Sequence, residues 1–160
     1  GPSFYPIIPA EILHGQSRPG AGWGNSSDED RARRAIYIFV KRSLVEPLMA
    51  DFDFADVDSS CPVRFTTTQP TQSLNLMNSE FTNRQAAIFA NFLKQQSPDD
   101  LAAQVKLGLA QTTQRQPSEA DIQRGINLIK ELKGLGVSDD DALKYFCLVT
   151  YNLNEFLYID

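Results

Sequence analysis

The sequence predicts a mainly α protein, a single-domain helical bundle of about five helices entered through an extended N-terminal arm. Three observations carry this. Residues 1–27 hold four of the nine prolines and five of the nine glycines, a density that breaks long helices. Further on, apolar residues recur at three- and four-residue spacing, in segments opened by Ser, Asp or Pro. The 160 residues, 42% hydrophobic and 10% aromatic, can bury one self-sufficient core and exclude a disordered chain.

The arm comes first. Phe4, Tyr5, Ile7, Ile8, Ile12, Leu13 and Trp23 give it much to bury, so it should wrap a core. Gly20–Gly24 is neither a Walker loop nor a dinucleotide fingerprint, because no apolar strand feeds it, and it reads as turn. The helical core spans residues 28–160. Ser27 can cap a segment beginning Asp28-Glu29-Asp30, whose acids suit the positive end of a helix. Ile36, Phe39, Val40, Ser43 and Leu44 then share one helical face, ended by Pro47. The continuous Ile-Tyr-Ile-Phe-Val run equally suits one short strand near 35–41.

Pro70 suits the first turn of a short helix carrying Leu74 and Met77. Asn78 or Ser79 caps the next, with an apolar stripe of Phe81, Ile88, Phe89, Phe92 and Leu93. Ser97-Pro98-Asp99-Asp100 starts a helix bearing Leu101, Val105 and Leu109. Ser118 with Asp121 resembles a capping box, and Ile122, Ile126 and Ile129 continue that helix to Gly134. Ser138 and three aspartates open the last helix, Asp139 to about Leu153. Its Tyr145–Tyr151 run is apolar nearly all round, marking a central helix.

The chemical inventory excludes more than it suggests. The net charge of −5 disfavours nucleic acid and anionic membrane as partners. His14 is the sole histidine, so no His pair ligates zinc, and it reads as a surface residue in a proline-rich stretch. No Cys-x-x-Cys-His attaches a c-type haem, and no metal site is expected. Cys61 and Cys147 could form one disulfide in an oxidising compartment or be two thiols in the cytosol. Within Tyr-Phe-Cys-Leu-Val, Cys147 reads as a small core residue. No apolar run is long enough to span a membrane.

Three clusters are candidate sites. Asp51, Asp53, Asp56 and Asp58 could offer oxygen ligands to Ca²⁺, but position 6 of an EF-hand loop would be Asp56 rather than Gly. Solvated carboxylates, or partners for helix ends and arginines, explain them better. Arg31, Arg33, Arg34, Lys41, Arg42 and Arg64 could grip an anion, although pairing with Asp28, Glu29, Asp30 and the loop aspartates is favoured in so acidic a chain. Thr66 to Gln72 is dense in neutral donors and acceptors. It could line a sugar groove, and capping of the following helix explains it more simply.

Several segments together resemble a known family. They are Ser17-Arg18-Pro19-Gly20, Arg33 to Tyr37 with Lys41 to Leu44, Phe52-Asp53, Ser60 to Phe65, Thr67 to Leu74 and Leu76 to Phe81. Asn154 to Asp160 resembles the natural carboxyl end of that family. It is the planctomycete-type C-terminal domain of unknown function, which accompanies planctomycete cytochrome-c-like domains and a second uncharacterised domain in large exported proteins. Ala35 departs from the family, where Ser is frequent.

The resemblance implies an extracytoplasmic or periplasmic module from a longer protein. Its cofactor, a haem, would belong to an absent upstream domain, with none in this chain. It carries over Arg34, Tyr37, Lys41, Arg42, Asp53, Cys61, Arg64, Gln69 and Asn78 as candidate binding residues without roles. Two functions follow as expectations. One is a non-catalytic module whose partners are the other domains of its parent. The other is part of an enzyme site on anionic polysaccharide. There Arg34, Lys41, Arg42 and Arg64 would hold acidic groups, Asp53 would act as acid or base, and Tyr37 would assist. A cytosolic helical adaptor is a third reading if both thiols stay reduced.

Overall fold

A computed structural model describes residues 1–57, 60, 67 and 69–158. In chain order its helices are α1 (Ala10–His14), α2 (Asp28–Arg31), α3 (Pro47–Asp51), α4 (Pro70–Asn78), α5 (Glu80–Gln96), α6 (Leu101–Thr113), α7 (Glu119–Gly134), α8 (Asp139–Thr150) and α9 (Asn154–Leu157). A single 3₁₀ turn covers Ala35–Tyr37, and pairing between extended segments is limited, among the described residues, to isolated bridges. The protein is mainly helical, as expected. The described residues form two compact units, Gly1–Gln72 and Ser73–Asp160.

Unit 1 is built by its arm. Phe4 is buried and pairs with the 37–39 segment: its N–H donates to the Tyr37 carbonyl at 2.9 Å and its carbonyl accepts from Phe39 N–H at 2.8 Å. This pairing replaces the helix expected over 36–44. An extended backbone there lets Phe39 join Tyr5 and Trp23 in an aromatic cluster, with ring centroids 4.8 and 5.9 Å away. The tertiary gain outweighs local helix propensity. Ser27 does cap α2, accepting from Asp30 N–H at 3.1 Å, but α2 ends after one turn. Pro47 opens α3 rather than closing a helix, with the Glu46 carboxylate accepting from Met49 N–H at 2.8 Å. Proline needs no N–H at a first helical position. The Gly20–Gly24 turn forms, and Gly20 and Gly22 take positive φ of 68° and 70°.

Unit 2 is the helical bundle proper. Its caps follow the sequence closely. Ser79 caps α5, Asp100 caps α6, Ser118 and Asp121 form a reciprocal box at α7, and Ser138 caps α8. Gly136 ends α7 in a Schellman arrangement at φ 88°, with Val137 N–H reaching the Leu132 carbonyl at 3.1 Å. The inner faces of α5 (Ala86, Ala90, Leu93), α6 (Val105) and α7 (Ile122, Ile129) close on α8.

Two glycines of the bundle close on Phe146. A methyl built on Gly108 would lie 3.0 Å from Phe146 Cε1, and one on Gly125 would lie 2.9 Å from Phe146 Cε2 and 2.6 Å from Val105 Cγ1. The ring therefore sits between two bare backbones. Cys147, one residue on, is fully buried with a free thiol, which burial pushes up to about 12.

The glycine packing and the capping box each give a prediction. Gly125→Ala should lower stability by about 1–2 kcal/mol, overpacking against Val105 and Phe146 outweighing the better helix propensity. Gly134→Ala, whose methyl would meet nothing within 4 Å, should raise it by a few tenths of a kcal/mol. Urea unfolding of both variants checks the contrast, and a stabilised Gly125→Ala would contradict the seat.

The second concerns pH. The Ser118 hydroxyl foremost, then the Ser118 N–H, then Arg115 and Arg124 hold the Asp121 carboxyl well below its ordinary 3.8. A depressed folded pKa stabilises above the unfolded value, and that contribution fades as pH falls toward the folded one. Asp121→Asn should therefore lower Tm at pH 7, and its deficit should shrink steadily below pH 4. Thermal melts from pH 2 to 7 measure it.

Candidate functional site

Most of the residues carried over from the family resemblance lie in unit 1, and Lys41, Tyr37 and Asp53 among them make contacts within it. Lys41 Nζ donates to the Ala21 carbonyl, tying the extended segment to the glycine turn. Arg34 is exposed at the N-terminal edge of the 3₁₀ turn. Tyr37 is covered on one face by the neighbouring Arg33, whose guanidinium carbon lies 4.5 Å from the ring centroid. Arg42 is exposed. Asp53 sits at a positive φ of 56°, and its carboxylate accepts from Thr67 N–H at 2.6 Å and from the Thr67 hydroxyl at 2.9 Å. Asp53 is thus engaged by a threonine.

Gln69 adjoins a polar hub centred on Gln72, the last residue of the polar Thr66–Gln72 segment. The Gln69 backbone N–H donates to Gln72 Oε1 at 3.2 Å, while Gln72 Nε2 donates to the carbonyls of Asp51 and Thr67, both at 2.8 Å. Gln72 is 2% exposed and joins the end of α3, the residue-67 backbone and the start of α4. A signal for it was present. With Pro70 opening the helix, Gln72 stands at the third helical position, where a Gln reaches back to the cap backbone. Asn78 ends α4, exposed, in unit 2. Cys61, Arg64 and Asp58 lie outside the described residues.

Two of the arginines that sequence reasoning grouped for anion binding, Arg31 and Arg33, turn inward on the arm. Arg31 contacts Asp28, Asn25 and the Tyr5 carbonyl. Arg33 donates to the Pro2 carbonyl at 2.8 Å and pairs with Asp30 at 3.4 Å. Among the described residues no three His, Cys, Asp or Glu side chains converge as metal ligands. His14 is exposed, and no helix is long and apolar enough to cross a membrane.

Unit 2 offers a surface that the stripe reading did not separate. On α5 two apolar faces diverge. Thr82, Ala86, Ala90 and Leu93 go into the core, while Phe81, Ile88 and Phe92, about 135° around the helix, remain 43, 56 and 40% exposed. Leu74 and Met77 of the preceding α4 are exposed too. Phe92 begins a run of stacked rings: Phe89 at 6.2 Å, Tyr151 a further 5.9 Å, then Phe156 at 5.1 Å. The Tyr151 hydroxyl donates to the Gln85 carbonyl at 3.4 Å, and burial pushes its pKa up to about 12. These rings lie beside the exposed face of α5.

Comparison with known proteins returned a family and no individual relative. No curated protein and no solved structure matches the chain. Residues 1–129 match the family described as PSD1, protein of unknown function (DUF1553). That span takes in all of unit 1, α4 to α6 and most of α7. The chain belongs to the PSD1 (DUF1553) family of proteins of unknown function.

Proposed function

We propose that this chain is a C-terminal module of a larger exported, cytochrome-associated protein, packing against that protein's other domains without catalysis of its own. The observation that carries the reading is the second apolar face of α5. Phe81, Ile88 and Phe92 leave large hydrocarbon surfaces in water on a helix whose core face is already satisfied. A contiguous exposed apolar patch marks an interaction surface. The family resemblance supplies the occupant, the neighbouring domains of the parent chain. Lys41 and Asp53, central to an enzyme reading, are occupied by a backbone carbonyl and by Thr67, which supports a structural role for both. In this reading any haem is held by an upstream domain.

The test uses the rest of the parent chain, produced separately. It should bind this domain, and a Phe81→Ser, Ile88→Ser, Phe92→Ser variant with unchanged circular dichroism should bind at least about tenfold more weakly. Calorimetric titration reads both. Equal binding by the variant and the native domain would remove α5 as the surface, and absence of binding by the native domain would remove the function.

A further inference from the structure

A cleft of about 450 Å³ opens in unit 2, on residues distinct from the α5 face, between the end of α6, the start of α7, the end of α8 and the entry to α9. Its size falls within the usual range for small-ligand pockets. The walls are hydrocarbon: Leu109, Leu128, Phe146, Val149 and Leu153. Two threonines also line it, but each hydroxyl hydrogen is spent on its own helix, Thr113 on the Leu109 carbonyl at 2.8 Å and Thr150 on the Cys147 carbonyl at 2.7 Å. The interior therefore asks for an apolar body.

The mouth is different. Arg115, Asp121, Arg124 and Glu155 ring it. Their formal charges cancel, but their hydrogen-bonding capacity does not. Asp121 is filled: one oxygen accepts from Ser118 N–H at 3.0 Å, the Ser118 hydroxyl at 2.8 Å and Arg115 at 3.3 Å, the other from Arg124 at 2.5 Å. Arg124 is three-quarters exposed and gives one nitrogen to Asp121. Arg115, half exposed, gives one nitrogen to Asp121 and meets Glu155 across 3.5 Å. A guanidinium carries a fork of several donors, so unspent N–H remains on both arginines, and the Glu155 carboxylate, 3.5 Å from Arg115, is the acceptor that competes for it. The loose Arg115–Glu155 pair is the contact an incoming acceptor would displace.

We infer that this cleft binds a small aliphatic carboxylate, its chain against Leu109, Leu128 and Phe146 and its head group on Arg115 and Arg124. The pairing is chemical: a hydrocarbon floor for the chain, and guanidinium forks that match a carboxylate two bonds at a time. It does not rest on the packing reading, since the cleft shares no residue with Phe81, Ile88 or Phe92.

Isothermal titration of the full chain with decanoate, kept below its micellar concentration, tests it. One-site saturation is expected, with decanol at least about tenfold weaker and acetate not binding. Leu128→Trp, which fills the cleft, should abolish the heat. Arg115→Gln with Arg124→Gln should raise the decanoate Kd about tenfold and erase the preference over decanol. The triple α5 variant should bind decanoate as the native chain does. No saturation, equal affinity for decanol, undiminished binding by Leu128→Trp or loss in the α5 variant would each overturn the site. Should Leu128→Trp fail to fold, the comparison of decanoate, decanol and acetate on the native chain decides.

Discussion

The bundle of unit 2 is organised by the seating of one aromatic ring. Phe146 projects from α8 between Gly108 of α6, where a methyl would crowd it, and Gly125 of α7, where a methyl would collide with it. Each glycine costs its helix about 1 kcal/mol of propensity, and burial of the ring returns about 1.5–3 kcal/mol. Consequences spread along α8. Cys147 and Leu143 face the alanines of α5 and the rest of the core. Val149 and Thr150 line the cleft. Tyr151 stacks on Phe89 within the run of rings that starts at Phe92. Core, cleft and aromatic surface thus share one constraint, and a ring displaced at 146 would move all three.

Unit 2 was legible in the sequence because its signals are local. Ser118 with Asp121 and Ser138 with the aspartates after it act within a few residues of the backbone groups they satisfy, and α7 ends at Gly134 as read. The apolar spacing of α7 and α8 then had one solution. What stayed hidden was how far around the helix the stripe of α5 reaches. Phe81 to Leu93 reads as one apolar band, whereas the fold takes Leu93 and the alanines inward and leaves Phe81, Ile88 and Phe92 outside. Periodicity reports that a helix has an apolar face without reporting how many neighbours are present to cover it. The cleft was invisible for a related reason, since its walls come from four helices and its mouth from charges whose pairing depends on the fold.

Unit 1 was less legible because its order is non-local. The segment 36–44 carries helical spacing and strand propensity together, and Phe4, more than thirty residues earlier, decides the matter by hydrogen bonding to it. The basic residues there looked like ligands and act largely as ties: Arg31 and Arg33 hold backbone carbonyls of the arm, Lys41 a carbonyl of the glycine turn. In an irregular segment rich in proline and glycine, backbone groups lack ladder partners, and long cationic side chains satisfy them. The preference for internal pairing over an anion site rested on net charge, and the ties to Asp28 and Asp30 agree with it. Gln72 does the same from a buried position, with a side chain that is donor and acceptor at once.

The family match ends at residue 129, inside α7, yet the physical unit does not. Val105, Ile122 and Ile129 have their inner faces completed by Ala142 to Leu148 of α8. Without that helix, α5, α6 and α7 would present their apolar faces to water, and Gly108 and Gly125 would keep their cost in helix propensity with no ring to accommodate. The two glycines inside the matched span therefore make structural sense only with an aromatic partner from beyond it. A helix able to offer a large ring at that place belongs to the same folding unit as the matched residues, whatever sequence carries it. The cleft has the same dependence, since Gly125 and Leu128 form one wall and Phe146, Val149 and Leu153 close the other.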